Sequence, residues 1–102
     1  MRNFENLTAI LNLKEQPNVL FVAGDVLTYH DDDRIEIVEA KPQGINPAVL
    51  ILDIEVKEGR SPMKGTMKQF CYVKKGDDLE QYTQITVRYN NDSKTVDIQK
   101  LL

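Results

Sequence analysis

The stretch Ala48-Val49-Leu50-Ile51-Leu52-Asp53-Ile54-Glu55-Val56-Lys57 carries the clearest structural signal in this sequence. Apolar side chains at alternate positions would share one face of a strand, namely Leu50, Leu52, Ile54 and Val56. The intervening Asp53, Glu55 and Lys57 would share the other face. This period of two is typical of a strand in a sheet with one buried side. We therefore expect this strand to be central to the hydrophobic core.

Further short apolar segments separated by turn residues surround this strand. They cover residues 18–22, 26–29, 34–39, 66–74, 82–89 and the region of Val96 and Ile98. In the segment 66–74, both faces carry apolar groups. Gly24-Asp25 is expected to break one segment, and Asn90-Asn91 supplies residues that tolerate a left-handed turn. About seven short strands of this kind predict an all-β fold, either an antiparallel sandwich or a small barrel.

Two parts of the chain leave the fold less defined. Residues 4–13 fit a helical stripe through Phe4, Leu7 and Ile10 as well as a strand alternation. The alternative fold is therefore α+β, with an N-terminal helix on an antiparallel sheet. The segment 41–47 has two prolines and a glycine, and its length predicts a crossing between sheets. For 59–65 we expect a mobile surface loop.

Composition favours one ordinary globular domain over residues 1–102. The chain is 41% hydrophobic and 28% charged, with a formal net charge of −3, which gives no overall attraction to nucleic acid or to anionic membranes. No segment is apolar and long enough to span a bilayer, and the start of the chain as given has no signal-peptide pattern. The single cysteine, Cys71, excludes an internal disulfide, and we expect a cytoplasmic location.

The acidic stretch Tyr29-His30-Asp31-Asp32-Asp33 lies where a hairpin loop belongs. It lacks the ligand spacing of an EF-hand, and one histidine and one cysteine in the whole chain are too few for a zinc site. Two interpretations stay open. One is a solvated hairpin tip whose charges oppose aggregation, and the other is a loose calcium site using Asp31 and Asp33 with carboxylates from another loop.

No catalytic motif is present, and we expect neither an enzyme nor a bound cofactor. A nucleophile–histidine–carboxylate arrangement would have to use His30, but no nucleophile elbow surrounds Ser61, Ser93 or Cys71. Cys71 lies within an apolar strand segment, where an inert buried thiol is expected. The loop Gly59–Gly65 does not have the residue spacing of a phosphate loop.

Charge is unevenly distributed along the sequence. The region Lys57–Lys75 has six basic residues and one acid, a net charge of +5, whereas the remainder of the chain has a net charge of −8. If this region gathers on one face, it offers an electropositive patch with interleaved aromatic groups. The candidate partner-binding residues are Arg60, Lys64, Lys68, Phe70, Tyr72, Lys74 and Lys75. The alternative is a solvated face with Phe70 and Tyr72 in a second core layer.

The leading hypothesis is a non-catalytic β-sandwich module for binding or assembly. It would use the basic region or an edge strand, with a protein as partner, either a second copy or a different chain. A small-ligand carrier with an apolar barrel interior is the alternative, and an enzyme using His30 is a further one. Nucleic acid and membranes are not expected partners.

Overall fold

The computed structural model describes residues 3–102. Over that range the fold is an all-β sandwich of two four-stranded sheets, as the strand pattern predicts. The strands are β1 (Phe4–Asn12), β2 (Asn18–His30), β3 (Arg34–Glu39), β4 (Val49–Lys57), β5 (Met63–Gly76), β6 (Gln84–Tyr89), β7 (Asp92–Asp97) and β8 (Gln99–Leu101). A short 3₁₀ turn (Leu79–Gln81) precedes β6. Sheet A has the order β5-β2-β1-β8, and sheet B has the order β3-β4-β6-β7.

The core lies between the two sheets and is filled by side chains from both. Sheet A contributes four completely buried apolar residues, Leu11, Leu20, Val22 and Val26, and sheet B contributes Leu50, Leu52, Ile85 and Val87. The alternation predicted for β4 is confirmed, and β4 is an inner strand paired with β3 and β6. Burying alternate residues from two facing sheets is what makes each strand amphipathic.

The N-terminal segment is a strand, so the alternative with an N-terminal helix is wrong. The ambiguous spacing has a physical cause, because β1 contains an irregularity between Glu5 and Thr8, where Asn6 has a positive φ of 55°. This extra residue lets Phe4 and Leu7, three positions apart, both face the core. A bulge in a strand therefore imitates the first turn of an amphipathic helix.

Gly24 does not break the second segment, and this expectation is corrected. β2 runs without interruption from Asn18 to His30 and pairs with both β1 and β5. A Cβ atom on Gly24 would lie 3.1 Å from the Phe70 ring and 3.2 Å from the Leu7 backbone. Glycine is present here because the Phe70 side chain packs directly on the β2 backbone.

The segment 41–47 also differs from its prediction. It joins β3 to β4, which are antiparallel neighbours in sheet B, and so does not cross between sheets. Gln43 holds the segment, since its amide accepts from the N–H of Ile51 and donates to the carbonyl oxygens of Ile51 and Ala40 at 2.8–2.9 Å. Within the described residues, the chain crosses between the sheets in four connections, namely β2–β3, β4–β5, β5–β6 and β7–β8.

Candidate functional site

The acidic stretch Asp31–Asp33 forms the hairpin loop between β2 and β3, as the sequence predicts. Asp33 is only 7% exposed, and its carboxylate accepts hydrogen bonds from the backbone N–H groups of Gly59, His30 and Tyr29 at 2.7, 2.9 and 3.2 Å. The bond from Gly59 is the main reason that the pKa of Asp33 lies below its ordinary value of 3.8. This carboxylate therefore holds the backbone of the hairpin and of Gly59 in place and does not face solvent.

Asp32 binds the next residues of the same β4–β5 connection. Its carboxylate accepts from the backbone N–H groups of Arg60 at 2.9 Å and Ser61 at 3.1 Å. The Arg60 bond, followed by the Ser61 hydroxyl, holds the pKa of Asp32 well below its ordinary range. In return the backbone N–H of Asp31 donates to Ser61 Oγ at 3.0 Å. A side chain on Gly59 would collide with the Asp32 carboxylate.

We call this arrangement the acidic clasp, namely Asp31–Asp33 bonded to Gly59–Ser61. Both of its segments are connections between sheet A and sheet B, so the clasp joins the sheets at one end of the sandwich. Within residues 3–102 there is no group of three or more His, Cys, Asp or Glu residues that could hold a metal ion. The calcium alternative used Asp31 and Asp33, and both carboxylate oxygens of Asp33 already accept hydrogen bonds from backbone N–H groups.

His30 lies beside the clasp, in a cleft that also exposes Glu58 and Asn90. Its Nδ1 atom is 2.6 Å from the carbonyl oxygen of Ser61. Since a carbonyl oxygen can only accept, Nδ1 carries the hydrogen and donates it. The polar surroundings match one requirement of the enzyme alternative, but the Ser61 hydroxyl is engaged with the Asp31 backbone. The contacts described for His30 hold the β4–β5 connection in place.

The structure assigns internal contacts to three of the basic-region candidates, all on the inward side of β5. Lys68 donates to the carbonyl oxygens of Asp31 and Asp33 at 2.7 and 2.6 Å. Tyr72 and Lys74 both donate to the Glu39 carboxylate, at 2.6 and 2.8 Å. These bonds join the edge strand of sheet A to the edge strand of sheet B and to the acidic hairpin.

The pKa shifts of Glu39, Tyr72 and Lys74 agree with these hydrogen bonds between the sheets. Partial burial raises the pKa of Glu39, but the hydrogen bonds from Lys74 and Tyr72 outweigh burial and leave the pKa below 4.5. Burial, followed by the bond to Glu39, raises the pKa of Tyr72. The same bond to Glu39 is the main cause that raises the pKa of Lys74. All three groups therefore keep their binding protonation states near neutral pH.

The four remaining candidates are not gathered into one surface. Phe70 is 7% exposed and belongs to the core. Arg60 and Lys64 are exposed near the clasp, whereas Lys75 is exposed near the opposite end of β5. Eleven strand positions separate Lys64 from Lys75, a distance of roughly 35 Å. Partner binding by the basic region stays a prediction, and its exposed charges are split between two ends of a strand.

A continuous apolar surface lies on the outward side of sheet A. Ile10, Phe21 and Val73 are directly aligned across β1, β2 and β5, and Phe21 and Val73 are 46% and 45% exposed. Ala23 and Cys71 form the adjacent aligned pair. We call this surface the apolar face; its members are Ile10, Val19, Phe21, Ala23, Cys71 and Val73, with Leu101 at its margin.

The outward side of sheet B is chemically different. Three aligned cross-strand pairs are bonded through their side chains there: Arg88–Asp53 at 2.6 and 2.8 Å, Thr86–Thr95 at 2.7 Å, and Gln84–Asp97 at 3.0 Å. The Arg88 bond is the main cause that lowers the pKa of Asp53. We call this surface the polar face, and its side chains satisfy one another while facing water.

The apolar face is not among the surfaces predicted from the sequence, although the sequence contains a signal for it. The segment 66–74 carries apolar groups on both faces, with Phe70 and Tyr72 inward and Cys71 and Val73 outward. An outward apolar row on an edge strand needs an apolar neighbour to become a surface, and Phe21 supplies it through the β2–β5 register. Cys71 is exposed, so the expectation of a buried thiol is wrong.

Comparisons with known proteins add no family to these observations. The chain matches no family model, no curated protein and no solved structure at a significant level. The part of the chain that the structure describes contains no helix long and apolar enough to cross a membrane. The surfaces of the sandwich are therefore the features that bear on function.

Proposed function

We propose that this protein is a non-catalytic module for binding or assembly, and that the apolar face is its binding surface. The observation that carries the proposal is the aligned row of Ile10, Phe21 and Val73 on the solvent side of sheet A. Contiguous exposed apolar surface is uncommon on soluble proteins unless another molecule covers it. Binding would bury this row and release the water that it orders.

The contrast with the polar face strengthens this assignment. Both faces belong to four-stranded sheets of one sandwich, so fold alone does not require one of them to be apolar. Binding sites in proteins have apolar centres that are depleted in charge, with polar groups at the margin. The apolar face has this composition, since its charged neighbours Asp25, Glu15 and Lys75 lie at its margin.

The other two hypotheses receive less support from the geometry. A carrier needs interior space, whereas inward side chains from both sheets fill the region between them. An enzyme using His30 needs a free reactive partner, whereas His30 Nδ1 and Ser61 Oγ are both bonded within the acidic clasp. The basic region stays a second candidate surface, reduced by internal contacts to Arg60, Lys64 and Lys75.

Site-specific photo-crosslinking tests the proposal. Benzoylphenylalanine would replace Phe21 on the apolar face and, as a matched control on an inner strand of the other sheet, Thr86 on the polar face. In a lysate of cells that naturally make the protein, we expect discrete adducts from position 21 and none from position 86. Equal labelling from both positions, or none from position 21, would contradict the proposal. A His30→Ala variant should leave the adducts unchanged.

A further inference from the structure

We infer that the occupant of the apolar face is a second copy of this chain, with the two A sheets packed face to face. This inference rests on the proposed function of the apolar face and names its partner. Ile10, Phe21 and Val73 stand outward from the sheet. A molecule that covers them must therefore lie above the sheet, at the roughly 10 Å separation usual for stacked sheets.

The size of the face is sufficient for a dimer. Three strands about 4.8 Å apart over the length of Val19–Asp25, about 20 Å, with the short β8 beside Ile10–Asn12, give a planar footprint of roughly 350 Å² per copy. Because side chains corrugate this surface, two copies together would remove on the order of 1,000 Å² from solvent, near the lower bound for a specific interface. We therefore expect reversible association with a dissociation constant on the order of micromolar.

The charge pattern favours a second copy over a strongly charged partner. A two-fold interface must be complementary to itself. The centre of the apolar face is uncharged, and its margin has both signs, with Lys75 aligned with Val19 and with Asp25 and Glu15 nearby. Two copies can thus meet without bringing like charges together at the centre, whereas a single-sign face would repel its copy.

Pairing through the free edge of β5 is the less favourable mode for the same partner. β5 is the terminal strand of sheet A, and its lysines are of the kind that protects edge strands from pairing. Lys68 is also bonded to the acidic hairpin, and Lys74 is bonded to Glu39 of the other sheet. Edge pairing would extend sheet A sideways and leave Phe21 and Val73 as exposed as before. Face-to-face packing covers both residues.

Sedimentation velocity over a range of protein concentrations tests this inference. We expect a monomer–dimer equilibrium for the unmodified chain. Phe21→Lys should raise the dissociation constant at least tenfold, because burying an unpaired ammonium group at the centre is costly. Thr86→Lys adds the same charge to the polar face and should leave the constant unchanged. Circular dichroism of both variants verifies that each one folds.

A charge variant provides an independent readout. Lys75→Glu leaves acids at the margin formed by residues 15, 25 and 75, so we expect weaker association at low salt and recovery as salt screens the repulsion. A chain that is monomeric at every concentration would overturn the inference, and so would a dimer that neither Phe21→Lys nor Lys75→Glu weakens. A monomer whose position 21 still crosslinks to another protein would leave the proposed function standing. A monomer without such adducts would overturn both.

Discussion

The outward faces of the two sheets differ in whether aligned side chains on neighbouring strands bond to one another. On sheet B, the row through Asp53 and Arg88 and the row through Thr86 and Thr95 are closed by side-chain hydrogen bonds across strands. On sheet A, the corresponding row presents three apolar side chains in succession, Ile10, Phe21 and Val73, and ends at Gln99 of β8. Contact with water is favourable for the polar rows of sheet B and unfavourable for the apolar row of sheet A.

This difference between the outward faces helps to distinguish residues that stabilise the fold from residues that we assign to binding. In both sheets most inward positions are apolar and buried, with exceptions such as Lys68 and Lys74 of β5, so the core does not distinguish the two sheets. The outward positions are free of that constraint, and their chemistry reflects what lies outside the sandwich. Substitutions at neighbouring inward and outward positions therefore offer a direct way to test the comparison.

The largest contrast is expected between two phenylalanines of sheet A. Phe70→Ala removes a buried ring and should lower the free energy of unfolding by roughly 3–5 kcal/mol. Phe21→Ala removes a ring that is 46% exposed and should cost less than about 1 kcal/mol in the monomer. Urea denaturation at low protein concentration measures both. Similar losses at the two positions would mean that Phe21 belongs to the folding core.

A second contrast uses adjacent positions of β2. Gly24→Val would place side-chain atoms against Phe70 and the Leu7 backbone, and we expect a loss of roughly 1–3 kcal/mol from overpacking. Ala23→Val enlarges the apolar face and should change monomer stability by less than about 0.5 kcal/mol. Thermal unfolding followed by circular dichroism compares the two variants. A destabilised Ala23→Val variant would show that the apolar face is already packed against something within the chain.

Low pH should weaken the hydrogen bonds of the acidic clasp and the polar face, and it should not affect the apolar face. The pKa values of Asp32, Asp33 and Asp53 are lowered from 3.8 in the folded chain. The unfolded chain thus binds more protons at low pH, and the stability from these carboxylates is present above about pH 4 and is lost as pH falls further. Urea midpoints measured at several pH values should show this decline.

Two controls test whether the acid effect comes from these carboxylates: a double variant of the acidic clasp and the association state of the protein. An Asp32→Asn, Asp33→Asn double variant should be less stable near neutral pH and show a shallower decline in acid. Association through the apolar face should not change between neutral pH and about pH 5, because the centre of that face has no charged side chain. Acid dissociation of dimers before any unfolding would contradict an interface whose centre is uncharged.

The smallest contrast lies between neighbouring lysines of β5. Lys74→Ala removes the ion pair with Glu39, whose two side chains are 28% and 32% exposed, and should cost about 0.5–1 kcal/mol after allowance for solvent screening. Lys75→Ala should be neutral for monomer stability, because its side chain is outward and exposed. Denaturation midpoints distinguish them. Equal effects would return Lys74 to the group of surface residues available for partner binding.

The sequence is sufficient to predict the layers of this fold. Alternation in β4 correctly identifies the buried residues Leu50, Leu52 and Ile54, and the tolerance of Asn90 and Asn91 for left-handed backbone is realised, with φ values of 51° and 60° in the β6–β7 turn. Both signals are local, since they depend on a residue and its near neighbours. Local signals are what a single sequence preserves best.

The errors of prediction arise where distant segments meet. The contact of Asp32 with Arg60 and Ser61 spans 28 and 29 positions, so neither acidic stretch nor glycine-containing loop indicates the clasp by itself. Gly24 imitates a strand break because Phe70, far along the chain, is what requires glycine there. The apolar face likewise needs the register that aligns Phe21 with Val73.

The most direct test of the central claim is the rate at which iodoacetamide alkylates Cys71, measured over a range of protein concentrations. Cys71 lies on the apolar face and is exposed in the single chain, so covering that face must slow its reaction. A Cys71→Ser, Thr86→Cys variant reports on the polar face in the same way. We predict that alkylation at position 71 slows with concentration while alkylation at position 86 does not. Full reactivity of Cys71 at every concentration, in purified protein and in lysate alike, would contradict the account.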